Sequence, residues 1–171
     1  MRAMFYHELL CYWGDIPFSL EPTYVTQSFV LPVTSRDEVY MQLINDLKAI
    51  APYMSSSSTM ADGVERVSQE ACWAMIARMA LQAGGYSLRP VEGNTSSFGK
   101  MARPANSNEF YQIARNYADS VIQAGTHSLT KSFQQVFVDE CNLITSTGDD
   151  PIFELPFGEG SSGQVGYYQG M

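Results

Sequence analysis

The residue types that could bind a metal or a cofactor are few and scattered in this chain. His7-Glu8 is followed by Cys11, which stands where a zinc protease motif of the HExxH type would need its second histidine. We predict that His7 faces solvent or an interface. The alternative is a zinc site formed by His7, Glu8 and Cys11. Cys11 and Cys72 occupy apolar helical positions and are interpreted as small buried hydrophobic residues. The sequence therefore predicts no metal site and no cofactor.

Carboxylates are the second group that could do chemistry. A glycoside hydrolase needs two of them at a fixed separation across the sugar, which spacing along the chain does not establish. We interpret these acids as surface residues, and Glu154 as a cap or an ion-pair partner, for instance of Arg66. We therefore predict no catalytic residue and no enzymatic activity. The acids in question are Asp139, Glu140, Asp149, Asp150, Glu154 and Glu159.

Two glycine-containing segments resemble catalytic or nucleotide-binding motifs only in composition. The run 160–163 lacks the strand-to-helix setting of a nucleophile elbow. Gly158-x-Gly160-x-x-Gly163 matches a dinucleotide-binding pattern, but no helix pattern follows it. We interpret this stretch as a loop.

Aromatic side chains in loops are the remaining candidates for binding. An exposed ring can stack on the apolar face of a sugar or pack against a peptide side chain, whereas the alternative is that it anchors its own loop. The sequence predicts a ligand-binding set made of four loop aromatics and one arginine. These are Tyr167, Tyr168, Tyr86, Phe98 and Arg89.

Composition limits the possible classes of protein. The chain has 171 residues, a net charge of −8 and 45% hydrophobic residues, which fits one globular domain with a core. The negative charge disfavours binding to nucleic acid. The apolar runs are shorter than the roughly 18 residues of a membrane-spanning helix. The first residues do not form a signal peptide, since Tyr6-His7-Glu8 interrupts any apolar stretch.

Hydrophobic periodicity predicts five helices that must position these residues. We expect helices over 1–13, 36–54, 69–84, 108–124 and 131–138, with Ser35 and Ser68 as N-caps and Gly125 after the fourth helix. In the first helix the predicted buried stripe is Met1, Met4, Phe5, Leu9 and Tyr12. In the second and third helices the predicted buried stripes are Val39, Tyr40, Leu43, Ile44, Leu47, Ile50 and Ala51, and Ala71, Cys72, Met75, Ile76, Met79, Ala80 and Ala83.

The segments between the helices are predicted to be mostly irregular. Residues 18–34 read as an extended connection, 55–63 as a flexible linker and 86–106 as a long polar loop. Alternation over 152–157 predicts a short strand near the C-terminus. The fold class is therefore predicted to be all-α dominant, with tetratricopeptide-like helix pairs, long loops and that one strand.

A series of motifs in a fixed order resembles the SusD/RagB family of nutrient-binding surface lipoproteins of Bacteroidetes. The series covers almost the whole chain. It consists of Arg2-Ala3-x-x-x-Tyr6-x-x-Leu9, Trp13-Gly14-Asp15-Ile16-Pro17, Ser35-Arg36-Asp37-Glu38-Val39-Tyr40, Ile44-x-Asp46-Leu47, Arg66-Val67-Ser68-x-x-Ala71, Ala77-Arg78-Met79-Ala80-Leu81, Tyr111-x-x-Ala114, Ser128-Leu129, Phe133-x-x-x-Phe137 and Ile152-Phe153-Glu154.

The resemblance implies a function, a partner and a location. Family members capture glycan or peptide nutrients during polysaccharide utilisation and deliver them to a TonB-dependent outer-membrane transporter of the SusC type. They do so without catalysis or a cofactor, and they are lipid-anchored at the cell surface. Residues 1–171 would be the central part of such a domain, with both termini truncated and the anchor outside this stretch. A glycoside hydrolase fragment and a helical-repeat scaffold that binds only proteins remain the alternatives.

Overall fold

The structure, a computed structural model, describes residues 1–26, 29–90, 99–142, 144 and 148–155. Helices dominate this part of the chain, which confirms the predicted helix-rich class. The helices are α1 Arg2–Trp13, α2 Thr23–Thr26, α3 Arg36–Ile50, α4 Gln69–Ala83, α5 Ser107–Ala124 and α6 Phe133–Cys141. Three 3₁₀ turns cover Ala51–Tyr53, Ser57–Thr59 and Gly63–Glu65.

Two small antiparallel sheets replace the strand that the sequence predicted near the C-terminus. Strand β1 Ile16–Pro17 pairs with β2 Val33–Thr34, and β3 Ser87–Arg89 pairs with β4 Lys100–Ala102. The prediction of a strand over 152–157 is wrong for residues 152–155, which pair with no strand of the described chain. Residues 156–157 lie outside the described part. The backbone amide of Glu154 donates instead to the carbonyl of Val64, at 3.0 Å.

Helix ends follow the predicted capping residues. Ser68 Oγ accepts from the amide of Ala71 at 3.1 Å, which starts α4 one residue after the cap. Ser35 Oγ accepts from the amide of Asp37 at 3.3 Å and caps α3 in the same way. Gly125 ends α5 in the left-handed region, at a φ of 62° that glycine adopts without strain.

The core lies where α4 packs between α3 and α5. The predicted stripes of α3 and α4 are buried, except Ile50, which is exposed, and Met75, which is partly buried. Helices α4 and α5 approach each other closely at Gly84, where an added Cβ atom would come within 2.9 Å of Tyr111 Cε1. The absence of a side chain at Gly84 therefore sets the distance between these two helices. The core residues on the three helices include Val39, Leu43, Ile44, Cys72, Ile76, Met79, Ala80, Ala83, Phe110 and Ala114.

The predicted buried face of α1 is wrong. Ala3, His7 and Leu10 are the buried residues of this helix. Met1, Phe5, Leu9 and Tyr12 are exposed instead. Helix α1 contacts α3 through its narrower Ala3–His7–Leu10 face, because small and medium side chains there permit close packing. The larger apolar residues consequently face outward.

Two segments predicted to be irregular are ordered by specific contacts. The 55–63 segment contains two 3₁₀ turns and the buried Ser57, so its interpretation as a flexible linker is wrong. The 86–106 segment contributes strands β3 and β4. None of the described helices combines the length and the apolar character that crossing a bilayer requires.

Candidate ligand-binding site

A short hairpin projects from the junction of α4 and α5. Helix α4 ends at Gly84-Gly85, Tyr86 follows, and the chain then forms β3. In the antiparallel register Ser87 lies opposite Ala102, and Arg89 lies opposite Lys100. Gly99 precedes β4 with a φ of 91°, and a Cβ atom there would come within 2.6 Å of the Arg89 carbonyl oxygen. The hairpin therefore requires glycine at this position.

A stack of one cation and two rings lies at the base of this hairpin. The Arg103 guanidinium carbon lies 4.8 Å from the ring centroid of Tyr86 and 5.6 Å from that of Tyr111. Both separations are within the range of cation–π attraction. The side chain of Tyr86 nevertheless remains 65% exposed, so much of it is free to contact a ligand. We call the set Tyr86, Arg89, Lys100, Arg103 and Tyr111 the hairpin platform.

Arg89 fixes the hairpin platform to helix α3. Its Nη1 forms an ion pair with Asp37 Oδ2, and its Nε donates to the carbonyl oxygen of Ala102 at 3.1 Å. The Nη2 atom of Arg89 and the Oδ1 atom of Asp37 are buried without a hydrogen-bond partner in the described chain. Only one oxygen of Asp37 pairs with one nitrogen of Arg89. This contact therefore positions the hairpin, but less rigidly than a bidentate pair with two parallel hydrogen bonds would.

The structure brings together two of the five ligand-binding residues predicted from sequence. Tyr86 and Arg89 belong to the same platform, whereas Phe98, Tyr167 and Tyr168 lie outside the described residues. A ligand contact by any of the five stays a prediction. Sequence reasoning missed Arg103 and Tyr111. The signal available for Arg103 was its position in the same loop as Tyr86, beside Pro104 and four residues before Ser107, where α5 starts.

A larger apolar depression lies between α1, the first half of α4 and residues 150–155. Its volume is about 650 Å³, which is within the range of small-molecule sites. Apolar side chains form most of its wall, and four ionisable groups border it. The apolar lining includes Met1, Met4, Phe5, Val67, Ala71, Ala74, Met75, Ile152, Phe153 and Leu155, and the ionisable groups are His7, Glu8, Arg78 and Asp150. No sequence motif indicated this depression, because its walls come from three separate segments.

His7 is buried at the wall of this depression, so the prediction that it faces solvent is wrong. Its Nε2 lies 3.9 Å from Cys11 Sγ, and its ring packs against Tyr40 with centroids 6.0 Å apart. The Nδ1 atom is buried and has no hydrogen-bond partner in the described part of the chain. Cys11 is exposed, contrary to prediction, while Cys72 is buried as predicted. Burial, together with the charge of Arg78, lowers the pKa of His7, and Glu8 opposes this effect.

The lowered pKa of His7 predicts that acid weakens the fold. His7 of the unfolded chain takes up a proton near pH 6.5, whereas His7 of the folded chain takes it up at a lower pH. Between these two pH values the unfolded state binds more protons than the folded state. We expect the free energy of unfolding to fall as the pH drops below about 7, by up to about 1.4 kcal/mol per pH unit between the two pKa values. Urea titrations of the chain and of His7→Gln across this range would measure the difference. Equal pH slopes in the two proteins would contradict the prediction.

The acids near the C-terminal end of the described chain border a small cavity that is partly open to solvent. Lys131 Nζ binds Asp139 Oδ2 at 2.8 Å and Asp149 Oδ2 at 2.5 Å. The volume of this cavity is about 10 Å³, room for about one water molecule. Burial raises the pKa of Glu154, which borders this cavity, and the charges of Glu140 and Glu65 add to the effect. A sugar ring does not fit in this cavity.

The predicted ion pair of Glu154 with Arg66 is wrong, because Arg66 Nε instead binds Asp62 Oδ2 at 2.5 Å. Within the described residues, no group of three or more histidine, cysteine, aspartate or glutamate side chains is placed to hold a metal ion. Comparison with protein-family models, with curated proteins and with solved structures finds no match to this chain.

Proposed function

We propose that this chain belongs to a surface-exposed solute-binding protein of the SusD/RagB type. In this proposal it captures glycan or peptide nutrients and delivers them to a TonB-dependent outer-membrane transporter, and it is held at the outer membrane by a lipid anchor outside this chain. The ordered motif series supports the proposal. Helices α3, α4 and α5 lie where hydrophobic periodicity predicts them, and we propose that α4 and α5 make one tetratricopeptide-like pair of a longer superhelix.

The observation that carries the proposal is the exposed tyrosine ring on a well-supported hairpin. Tyr86 directly follows the closely packed end of α4, and Arg103 holds one face of its ring. A ring fixed in this way stacks on the apolar face of a sugar with little loss of side-chain entropy, since its orientation is already restricted. Among the loop aromatics predicted from sequence, Tyr86 is the one that the structure describes.

Replacement of Tyr86 is the direct test of this site. In a screen of the chain against a glycan array and a peptide library, we expect at least one ligand whose affinity falls about five- to tenfold in Tyr86→Ala, the loss of one stacking contact. Tyr86→Phe should bind nearly as well as the original chain, because the ring is kept. Thermal denaturation of each variant should show an unchanged midpoint.

The matched control is Tyr53→Ala, which removes an exposed tyrosine from the 3₁₀ turn after α3. It should leave ligand affinity unchanged. A screen that gives no glycan and no peptide ligand would count against the proposed function. Equal losses in Tyr86→Ala and Tyr53→Ala would instead reject the hairpin platform as the site.

The raised pKa of Glu154 favours one competing function, a glycoside hydrolase. A carboxyl group whose pKa is raised by burial is suited to general-acid catalysis. Turnover of a polysaccharide by the protein, lost in Glu154→Gln, would support this alternative. The small volume of the adjoining cavity argues for the binding function instead.

A further inference from the structure

We infer that the hairpin platform selects acidic glycans, with a carboxylate-bearing sugar bound beside Arg103 and Lys100. The inference rests on the proposed capture of glycans and names the ligand class for that same site. Three observations carry it, namely the local excess of positive charge, the free donors of Arg103, and the adjacent ring of Tyr86.

The hairpin is a local basic region on an acidic chain. The net charge is −8, yet the stretches 86–90 and 99–106 contain Arg89, Lys100 and Arg103 and no acidic residue. Glu92 belongs to 91–98, outside the described residues. Arg89 and Lys100 lie directly opposite each other across the two strands, an arrangement of like charges that is unfavourable unless anions compensate it. Asp37 compensates only Arg89.

Arg103 and Lys100 have no ion-pair partner within the described chain. Arg103 lies over the two tyrosine rings, and its N–H groups have no hydrogen-bond partner among the described residues, so they are free to donate to a ligand. A planar guanidinium matches a carboxylate with two parallel hydrogen bonds. Lys100 is exposed on the neighbouring strand, where it adds a second positive charge.

The remaining acid near this cluster does not neutralise it. Glu109 in the first turn of α5 accepts from Asn106 Nδ2 at 3.4 Å, and Asp37 is already engaged with Arg89. An exposed tyrosine beside an uncompensated guanidinium therefore offers two contacts to one ligand. The ring stacks on the pyranose face, and the guanidinium binds the carboxylate of the same or the next sugar. A neutral glycan would use only the first contact.

The test compares ligands that differ only in charge. Hexagalacturonate and hexamannuronate, each together with its fully methyl-esterified form, would be titrated into the chain by calorimetry, alongside hexaglutamate. We expect one of the two uronates to bind at least about tenfold more tightly than its methyl ester, since the ester keeps the ring but loses the charge-assisted pair. This preference should shrink as salt is added, because the platform is exposed to solvent.

Two arginine variants locate the effect. Arg103→Gln should lower the uronate-to-ester ratio severalfold, because the charge-assisted pair with the carboxylate is lost while the charge of Lys100 remains. Arg66→Gln is the matched control, since Arg66 is an exposed arginine just before α4, at the opposite end of that helix from Tyr86. It should keep the full ratio. Circular dichroism of both variants would confirm that the helices are intact.

The possible failures are distinguishable from failure of the proposed function. Equal binding of each uronate and its ester, or a ratio that survives in Arg103→Gln, overturns the inference while glycan capture stands. Binding of hexaglutamate without binding of either uronate assigns the cations to an acidic peptide and also overturns it. Absence of binding to every glycan and peptide rejects the inference together with the proposed function.

Discussion

Replacing Phe110 by alanine is expected to lower the free energy of unfolding by about 3–5 kcal/mol. Phe110 is in the first turn of α5 and is 0% exposed, within the cluster formed by α3, α4 and α5. Its removal leaves a cavity at a point where Gly84 already brings α4 and α5 close together, so the helices have little freedom to move in and fill it. For a domain with a total stability of about 5–15 kcal/mol, this is a large fraction.

Urea-induced unfolding followed by circular dichroism would measure the effect. Phe133→Ala makes the same chemical change at a side chain that is 86% exposed on α6, and it should alter the free energy of unfolding by less than about 0.5 kcal/mol. A loss in Phe110→Ala no greater than in Phe133→Ala would show that the packing of α4 against α5 does not hold the fold together.

Glu70→Ala is expected to cost about 2–4 kcal/mol, because it removes the acceptor at the centre of a buried polar network. Glu70 is 1% exposed in the first turn of α4. One of its oxygens accepts from Ser56 Oγ at 2.5 Å and Thr126 Oγ1 at 3.4 Å, and the other accepts from the Ser57 amide at 3.0 Å. Alanine leaves the buried backbone amide of Ser57 without this acceptor.

The same network explains the expected dependence on pH. Burial raises the pKa of Glu70, but the hydrogen bonds from Ser56 and Ser57 outweigh burial, and the net result is a lowered pKa. The unfolded chain therefore binds a proton before the folded chain does as the pH falls. The stabilisation by Glu70 is present above about pH 4.5 and is lost as the pH falls through the lower pKa of the folded state.

Glu38→Ala is the matched control for Glu70→Ala. Glu38 is also in the first turn of a helix, α3, so it has the same favourable interaction with the helix dipole, but its side chain is exposed. We expect the Glu38 change to cost less than about 1 kcal/mol. Unfolding measured at neutral pH and again near pH 4 would check both variants. A Glu70→Ala chain that keeps both its stability and its pH dependence would contradict the role of this network.

Helix positions were readable from sequence because their signals are local. Ser35 and Ser68 cap α3 and α4 through their own side chains, and Gly125 ends α5 through its own backbone freedom. The stripes of α3 and α4 follow from the helical period alone, since most apolar residues of these helices belong to the core cluster or pack against it.

Which apolar face of α1 is buried was not readable from sequence. Two sets of residues on α1 have helical spacing, namely Met1, Phe5 and Leu9, and the narrower set Ala3, His7 and Leu10. Which set is buried depends on how closely α3 approaches α1. The sequence pointed to the larger side chains, whereas packing against α3 selected the smaller ones. Burial of His7, and with it the lowered pKa, followed from that choice.

The candidate site divides in the same way. The sequence by itself placed Tyr86 and Arg89 in one loop, because the position of a loop is a local property of the sequence. Only the tertiary structure put Arg103 against Tyr86 and Tyr111, and Glu70 against Ser56, Ser57 and Thr126. Those contacts join residues 8 to 56 positions apart in the chain. They depend on how the helices stack, and the periodicity of a single helix carries no information about its neighbour.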